Sequence, residues 1–541
     1  MLLYPWSCAV LALLLADNVS SENAHAKLHQ HAQQPMIKST PKRVAIIGAG
    51  AGGSSTAYHL HQFAAAAGIP IDITIFEKNP YIGGRTTTVN AWDTPGEPIE
   101  LGGAIFVKAN KIMVEAAQAF NLTATKLSSV KPPSGTSNAP ELGVWNGEEF
   151  VFEQTGSWWD VPKLLWRYGY APVRTNNLVK DVMARFLRMY EAPVFPWTSL
   201  SDVAYELGLT EATAVTGEQY LQANGVGKLF ADEIVQASTR VNYAQNLPVI
   251  HGLDTMVSMA AQGAMSIDGG NWQIFANMVQ TAAAHIHLNT TVSAVHRAAN
   301  GSFSLTTTTT SSSTSLTTPP FDTIVLAAPF HSSSITFSPR LTRPPDAVPY
   351  VHLHVTLFAS PHSLSPSAFN LPANTPVPKT ILTTLRHTAD TNSTTTPPFY
   401  SISTLRHAPN PQSHTREALY KIFSPAPISD AYIAHLLGLG PSPPSSSPQS
   451  QSDYNLAPRD VSWLKRHEWD SYPIAFPRVS FEELWLGMDV DVDVDVDVDG
   501  HAGGVWYTSG MEGFISTMET SALVGMDVAR LVVDGWGGER G

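Results

Sequence analysis

Residues 43–53 read RVAIIGAGAGG, and residues 71–77 read IDITIFE. The first stretch begins as a short apolar strand and ends in a glycine-rich loop. The small residues of 54–67 then predict a helix, and the second stretch predicts another short strand that ends at Glu77. This order of strand, glycine loop, helix, strand and acidic residue predicts a βαβ unit.

The three glycines of the loop, Gly48, Gly50 and Gly53, have the spacing G-x-G-x-x-G. In a dinucleotide-binding loop the first permits a tight turn, the second lets a pyrophosphate approach the backbone, and the third lets the helix pack on the strand. The positive end of the helix then faces the phosphates. Glu77 can accept hydrogen bonds from two ribose hydroxyls, and its charge disfavours the 2′-phosphate of NADP. These features predict a Rossmann-type, dinucleotide-binding domain.

The composition excludes several classes of protein. Of 541 residues, 43% are hydrophobic, enough to bury a core, and 14% are charged, against roughly 25% in ordinary soluble domains. The formal net charge is −13, and six of those charges are the aspartates of residues 489–499. This balance does not predict nucleic-acid binding.

The one cysteine, Cys8, excludes a disulfide scaffold, a cysteine-ligated zinc site and thiol catalysis in the mature chain, and we expect no metal site.

The N-terminus has the pattern of a leader. The apolar run 8–16 is too short to span a bilayer and predicts a signal peptide over 1–16, with a signal anchor as the alternative because a basic start is missing. A polar linker fills 17–41, and no later apolar stretch predicts a transmembrane helix. Asn-x-Ser/Thr sequons stand at Asn18, Asn121, Asn289, Asn300 and Asn392. Together these features predict a glycoprotein of the secretory pathway, in a vacuole or lysosome lumen or secreted, with Asn121, Asn289, Asn300 and Asn392 as its glycosylation sites.

Residues 77–85 read EKNPYIGGR and resemble the E-K-x-x-x-x-G-G-R segment of the flavin amine oxidases and their relatives. Five later segments resemble other cofactor-contacting segments of that superfamily and follow in the same order: 100–103 (ELGG), 269–271 (GGN), 291–295 (TVSAV), 322–329 (DTIVLAAP) and 507–513 (YTSGMEG). The resemblance implies FAD, bound by Gly48, Gly50, Gly53, Glu77, Lys78, Gly83, Gly84, Arg85, Gly102, Gly103, Val292, Ala328, Gly510, Met511 and Glu512. Because no cysteine follows Cys8 to form a thioether, we expect the FAD to be non-covalent.

Three other segments resemble a narrower family, the prenylcysteine oxidases (prenylcysteine lyases): 240–245 (RVNYAQ), 469–473 (WDSYP) and 511–522 (MEGFISTMETSA). That resemblance implies a flavoprotein of a lumenal compartment that acts on farnesyl- or geranylgeranyl-cysteine from degraded prenylated proteins. It would use O2 and water and yield cysteine, a prenyl aldehyde and H2O2. A small isoprenoid thioether and O2 are the implied partners, and peripheral membrane contact is compatible with them.

The resemblance implies an α/β fold of the glutathione-reductase and amine-oxidase type, with a Rossmann-type FAD-binding domain and an inserted α+β substrate domain. The expected division is 42–130, 266–330 and 501–541 for the FAD-binding domain, 131–265 and 331–487 for the substrate domain, and 488–500 for an acidic low-complexity loop. The tracts 306–318 and 441–452 are also expected to be inserted surface loops, because they are almost entirely Ser, Thr, Pro and Gln.

The residues themselves leave several points open. The chain has a single credible dinucleotide loop, so reduced flavin would return its electrons to oxygen. The aromatic-rich stretch 158–197 lines a channel for an isoprenoid or is simply core. His251 is a weak candidate proton acceptor, with a satisfied core histidine as the alternative. Other functions that remain open are a flavin amine or amino-acid oxidase and a secreted flavin-binding protein without turnover.

Overall fold

The computed structural model describes residues 40–126, 139–157, 160–387, 394–395, 397–440, 455–488 and 504–538. The expectations for the leader, for Asn18 and Asn392, and for the tracts 441–452 and 489–500 lie outside these residues. The domain boundaries given above stay a prediction.

A five-stranded parallel sheet lies at the centre of the fold and contains the predicted βαβ unit. Its strands, in spatial order, are β22 (Gly504–Tyr507), β13 (Thr323–Leu326), β1 (Lys42–Ile47), β2 (Ile71–Phe76) and β9 (His285–His287). The middle strands are continuous runs of apolar residues because a parallel sheet is covered on both faces. Helices cover one face and a four-stranded sheet covers the other.

Helices α1 (Ala51–Ala66) and α14 (Met518–Gly538) pack against each other on the helical face. Small residues allow this contact, since a Cβ built on Gly525 would lie 2.4 Å from the carbonyl oxygen of Gly52. Ser55 is buried in the same contact and donates a hydrogen bond to the carbonyl of Ala522. Helix α14 is therefore held beside helix α1.

A seven-stranded sheet forms the second layer of the molecule. Its strands, in spatial order, are β21 (Trp463–Pro473), β15 (Tyr350–Ser360), β20 (Arg416–Ser424), β19 (Ser401–Pro409), β16 (Thr380–Thr383), β6 (Leu142–Trp145) and β7 (Phe150–Gln154). One face packs with residues that include Leu101 and Ala244, and the other buries a separate core that includes Phe369 and Ile433. The first of these faces therefore lies toward the loop that carries Gly102 and Gly103.

The remaining helices lie, for the most part, between β7 and β13 in the order of the chain. They are α2 (Lys111–Ala119), α3 (Asp160–Tyr168), α4 (Ala171–Leu187), α5 (Leu200–Glu206), α6 (Thr210–Thr213), α7 (Gly217–Ala223), α8 (Lys228–Phe230), α9 (Gln236–Tyr243), α10 (Gly252–Ser258), α11 (Trp272–Thr281), α12 (Phe330–Ser333) and α13 (Asp430–Leu436). Within the described residues, none of the helices combines the length and apolar character needed to cross a membrane.

The smaller sheets correct two expectations. Their strands are β3 (Thr88–Asn90), β4 (Pro98–Glu100), β5 (Ala124–Lys126), β8 (Met265–Ile267), β10 (Thr290–Arg297), β11 (Phe303–Thr309), β12 (Ser312–Thr317), β14 (Thr336–Ser338), β17 (Arg386–His387) and β18 (Thr394–Thr395). The tract 306–318 is not an inserted loop, because most of it forms the paired strands β11 and β12. Threonine is β-branched and favours strands, so low complexity was a wrong guide here.

The strand-like apolar pattern of residues 286–295 predicts one continuous strand, and this prediction is wrong. The stretch is divided between β9 and β10, and Asn289 turns the chain between them with φ of +53°. Asparagine tolerates this left-handed conformation better than most residues. Because of this turn, β9 completes the central sheet while β10 starts the four-stranded one.

Candidate functional site

The first and third glycines of the loop are required by packing. Gly48 has φ of +107°, and a Cβ built on it would lie 2.5 Å from the carbonyl oxygen of Ala327. A Cβ on Gly53 would lie 2.0 Å from the carbonyl oxygen of Gly48. Any side chain at either position would therefore separate the strand, the loop and the helix that have to touch here.

The second glycine has a different surrounding. Gly50 is the N-cap of α1, with φ of −77°, and a Cβ built on it would meet only the Cα of Gly84, at 4.0 Å. The first turn of α1 has no acidic residue and no side-chain cap. The open space beside Gly50 therefore lies at the positive end of a helix without a side-chain cap, which is the arrangement that binds phosphates.

Glu77 follows β2 directly and is 5% exposed. Its Oε2 accepts a hydrogen bond of 2.8 Å from the backbone N–H of Ala49, and its Oε1 accepts bonds of 2.8 Å from the backbone and side-chain nitrogens of Asn79. A carboxylate offers about four acceptor positions. Glu77 therefore fixes the loop and keeps about one position for a ribose hydroxyl.

The doublet Gly83-Gly84 lies directly beside the loop. The N–H of Gly83 donates to the carbonyl of Ala49 at 2.9 Å, and a Cβ on Gly84 would lie 3.3 Å from the Cα of Gly50. Both glycines have positive φ, +121° and +59°. Two glycine turns thus border the same open space.

Arg85 joins three distant parts of the chain. Its Nη1 donates to the carbonyl of Ser471 at 2.6 Å, and its Nη2 donates to Oε1 of Glu512 at 2.6 Å. Oε2 of Glu512 accepts a bond of 3.1 Å from the hydroxyl of Tyr350. Burial, and then the negative charge of Glu512, raise the pKa of that hydroxyl, so Tyr350 stays a donor. The buried carboxylate of Glu512 is thereby neutralised and held in place.

The turn at Gly102 and Gly103 is tightly enclosed. A Cβ on Gly102 would lie 2.4 Å from the carbonyl oxygen of Arg85 and 2.7 Å from the ring of Trp469, and one on Gly103 would lie 2.9 Å from Sδ of Met518.

The remaining predicted cofactor residues lie in several places. Gly510 and Met511 lie in the turn 509–513 together with Glu512. Val292 is buried on β10, two residues after Thr290, whose N–H donates to the carbonyl of Glu77. Ala328 follows β13, and Lys78 is exposed.

A cavity of about 310 Å³ opens at the carboxyl ends of β13 and β22. Phe330, Tyr350, Tyr507, Glu482 and Ser509 are among the residues that line it. Ligands of parallel α/β sheets bind at this edge. The residues around Gly50 and Glu77 fit a dinucleotide, because they leave space at the phosphate position and a buried carboxylate at the ribose position.

His251 is fully buried and occupies both of its ring nitrogens. Its Nδ1 caps α10 by accepting a bond of 3.1 Å from the N–H of Asp254, and its Nε2 donates to the carbonyl of Gly513 at 3.4 Å. Burial lowers the pKa of His251 to about 4. These contacts favour the core histidine over the proton acceptor.

The aromatic side chains of the stretch 158–197 divide into buried and exposed rings. Tyr168, Phe186 and Trp197 are buried in the core, whereas Trp166 is 93% exposed and Tyr170 is 65% exposed. The buried rings match the core alternative. The two exposed rings fit neither alternative, since Trp166 of α3 and Tyr170, the N-cap residue of α4, both face solvent.

Sequence reasoning missed a buried lysine and a largely buried glutamate next to the Gly102 turn. Lys421 of β20 donates from Nζ to the carbonyl oxygen of Glu100 at 2.8 Å. Burial lowers the pKa of Lys421 to about 8 and raises the pKa of Glu100 to about 7. Oε1 of Glu100 accepts from the N–H of Asn271, while Oε2 has no partner in the described structure. A lysine inside the apolar strand 418–423 was the signal available in the sequence.

Comparison with known proteins supports the fold and the family. A family model described as prenylcysteine lyase matches residues 151–540, and one described as an NAD(P)-binding Rossmann-like domain matches residues 46–118. Farnesylcysteine lyase from Arabidopsis thaliana is 27% identical over 513 residues, which cover 91% of this chain and 88% of that protein. Prenylcysteine oxidase 1 from Bos taurus is 31% identical over 258 residues, 46% of this chain and 47% of that protein.

The fold also resembles that of solved oxidases. Putrescine oxidase bound to putrescine superposes with a TM-score of 0.53 at 13% identity, covering 92% of this chain and 99% of that one. At this identity the likeness concerns the fold alone. The expected Rossmann-type fold is confirmed, and FAD is the cofactor that fold and family indicate.

We predict that Gly50→Val loses bound flavin by roughly tenfold or more, because its side chain would enter the space that the pyrophosphate needs. The measurement is the ratio of flavin to protein absorbance in the purified protein. Gly227→Val is the matched control, since Gly227 also has negative φ and open space at its Cβ. Equal flavin content in both variants would contradict the assignment of the loop.

A second prediction concerns His251 and pH. Its folded-state pKa is depressed, so its contribution to stability is complete above about pH 6.5 and is lost as the pH falls toward 4. Between pH 7 and pH 5 this loss is about 2 kcal/mol. His251→Asn keeps a capping acceptor and does not titrate. Its free energy of unfolding should therefore fall less steeply with acid than that of the parent, as denaturant titrations can measure.

The control for this prediction is His285→Asn, because His285 is exposed. That variant should keep the pH dependence of the parent. If His251→Asn also keeps it, the buried neutral state of His251 is wrong.

Proposed function

Since the chain belongs to the prenylcysteine lyase family, we propose that it is an FAD-dependent thioether oxidase that cleaves S-prenylcysteine. The observation that carries this proposal is the family match over residues 151–540, which includes five of the seven strands of the large sheet in full and the turn 509–513 at the cofactor site. The proposed products are cysteine, a prenyl aldehyde and H2O2. We further propose that FAD is held non-covalently.

The overall reaction balances with one water and one O2. A hydride leaves C1 of the prenyl group, and the sulfur lone pair and the neighbouring alkene stabilise the resulting cation. Water adds at C1, the C–S bond breaks, and cysteine and the aldehyde separate. The chemistry that bound FAD would supply is the acceptance of this hydride and the return of two electrons, with two protons, to O2 to give H2O2.

The protein residues supply position and proton transfer. Arg85 and Glu512 fix the turn 509–513 against β21. The position of the cofactor site relative to the seven-stranded sheet is thereby held constant. The pair of Lys421 and Glu100 lies beside the Gly102 turn with pKa values near neutrality. We propose that the Glu100 carboxylate takes up the proton that the attacking water releases.

We also propose a place in the secretory pathway. The support is the leader pattern and the sequons, of which Asn121, Asn289 and Asn300 are exposed. Exposure is a condition that a glycan attachment site has to meet.

Peripheral membrane contact is proposed for the surface of α3 and α4. Leu165, Trp166 and Tyr170 are exposed there by 41%, 93% and 65%. Residues 160–188 contain six basic and two acidic residues in a chain of net charge −13. Exposed aromatic and aliphatic side chains with basic neighbours fit an anionic lipid surface, where a prenylated substrate would partition.

We predict that anaerobic mixing with S-farnesylcysteine bleaches the flavin absorbance, and that a saturated S-alkylcysteine of equal length does so far more slowly. Saturation removes the alkene that shares the positive charge at C1 but hardly changes the apolar area that is buried. Stopped-flow absorbance gives both rates. Deuterium at C1 should slow the bleaching where hydride transfer limits it.

The same experiment separates the alternatives. Bleaching by a simple amine but not by S-farnesylcysteine would support an amine oxidase. Flavin that stays oxidised with every substrate would support a binding protein without turnover. Acid precipitation should release the flavin into solution, and colour that remains in the pellet would contradict non-covalent binding.

For the membrane contact, we predict that the protein sediments with vesicles of phosphatidylcholine and phosphatidylserine at low salt. The double variant Leu165→Ala, Trp166→Ala should bind several-fold less. Tyr205→Ala is the control, because Tyr205 is 79% exposed on α5, outside this surface. Equal sedimentation of all three proteins would contradict the proposal.

A further inference from the structure

Two histidines and two carboxylates face one another across the strands β15 and β21. In the register of this antiparallel pair, His352 lies opposite Asp470 and His354 lies opposite Glu468. Residues two apart on a strand point to the same face of a sheet. All four side chains therefore occupy one face at the edge of the seven-stranded sheet.

Three of these side chains converge on one point. Nε2 of His352 is 3.7 Å from Oε2 of Glu468, and Nδ1 of His354 is 3.5 Å from the same oxygen. One ligand atom from each residue lies within 4.8 Å of the others. Zinc ligands lie about 2.0–2.2 Å from the ion, which puts tetrahedral neighbours about 3.4 Å apart. Small side-chain rotations therefore suffice to bring the three atoms to that spacing.

Asp470 orients the first histidine. Its Oδ1 is 3.1 Å from Nδ1 of His352, so Nδ1–H donates to the carboxylate and Nε2 keeps its lone pair toward Glu468. Carboxylates commonly hold metal-binding histidines in this way. The simpler explanation is a set of separate histidine–carboxylate pairs, but separate pairs do not require both histidines to meet the same oxygen of Glu468. His354 is only 14% exposed at its side chain, and its Nδ1 lies 3.5 Å from Oε2 of Glu468.

We propose that His352, His354 and Glu468 form a site for Zn²⁺ or a similar transition-metal ion, with Asp470 as the residue that positions His352. The two-histidine, one-carboxylate set leaves a fourth position for water. The proposal departs from the expectation of no metal site and does not depend on the proposed function.

The site has a structural consequence because of the strand on which it lies. The adjacent residues of β21 serve the cofactor site: Trp469 packs at Gly102, and the carbonyl of Ser471 accepts from Arg85. A bound ion would tie β21 to β15 directly behind these contacts. Zinc should therefore raise the melting temperature of the protein that has the intact site.

The test is calorimetric titration of untagged, full-length, metal-free protein with ZnCl2 at neutral pH. His354→Gln and Glu468→Gln should each bind one zinc equivalent fewer than the parent, and Asp470→Asn should bind that equivalent 10- to 100-fold more weakly. His285→Asn is the matched control, because His285 has one carboxylate, Asp72, at 3.8 Å. This variant should keep the zinc stoichiometry of the parent.

Differences between parent and variants isolate this site from His25, His29 and His31, which all the proteins share. Flavin content and circular dichroism verify that each variant is folded. Should the parent and His354→Gln bind equal zinc and show equal thermal shifts, the proposal is wrong. If His354→Gln fails to fold, the comparison of the parent with Glu468→Gln decides alone, because the side chain of Glu468 is exposed.

Discussion

The close approach of backbone to backbone at the glycine loop is the constraint on which the rest of the structure depends. Gly48 and Gly53 permit α1 to leave β1 without a side chain between them, and Gly525 lets α14 lie directly on Gly52. Because these contacts are backbone contacts, the spacing of the elements is fixed within tenths of an ångström. The space in front of Gly50 exists only because the surrounding elements are held this closely.

Arg85 extends that constraint to the rest of the molecule. It binds the carbonyl of Ser471 and the carboxylate of Glu512, which lie in the second sheet and in the last segment of the chain. A carboxylate as buried as that of Glu512 is costly unless it is paired and hydrogen-bonded. Arg85 and Tyr350 meet that need together, so the two sheets share one polar connection beside the cofactor site.

The sequence predicted the parts of the fold that depend on local pattern. The βαβ unit was visible because its strand, loop and helix follow one another and because each glycine has a local steric role. The tract 306–318 was misjudged, since β-branched threonine forms strands when its own strand and the partner strand both bury apolar residues, as Leu305 of β11 and Val295 of β10 do. The contacts of Lys421 with Glu100 and of His354 with Glu468 could not be predicted, because the fold brings these residues together from distant positions in the chain.

The comparisons separate the fold of the chain from its family. Putrescine oxidase shares the fold at 13% identity, and a shared fold does not by itself fix a substrate. The face of the seven-stranded sheet at the Gly102 turn carries Lys421, a buried amine whose pKa burial lowers to about 8. A charged ammonium group beside the proposed cation at C1 would destabilise that cation. The proposed reaction would therefore depend on the protonation state of Lys421 if it takes place at this face.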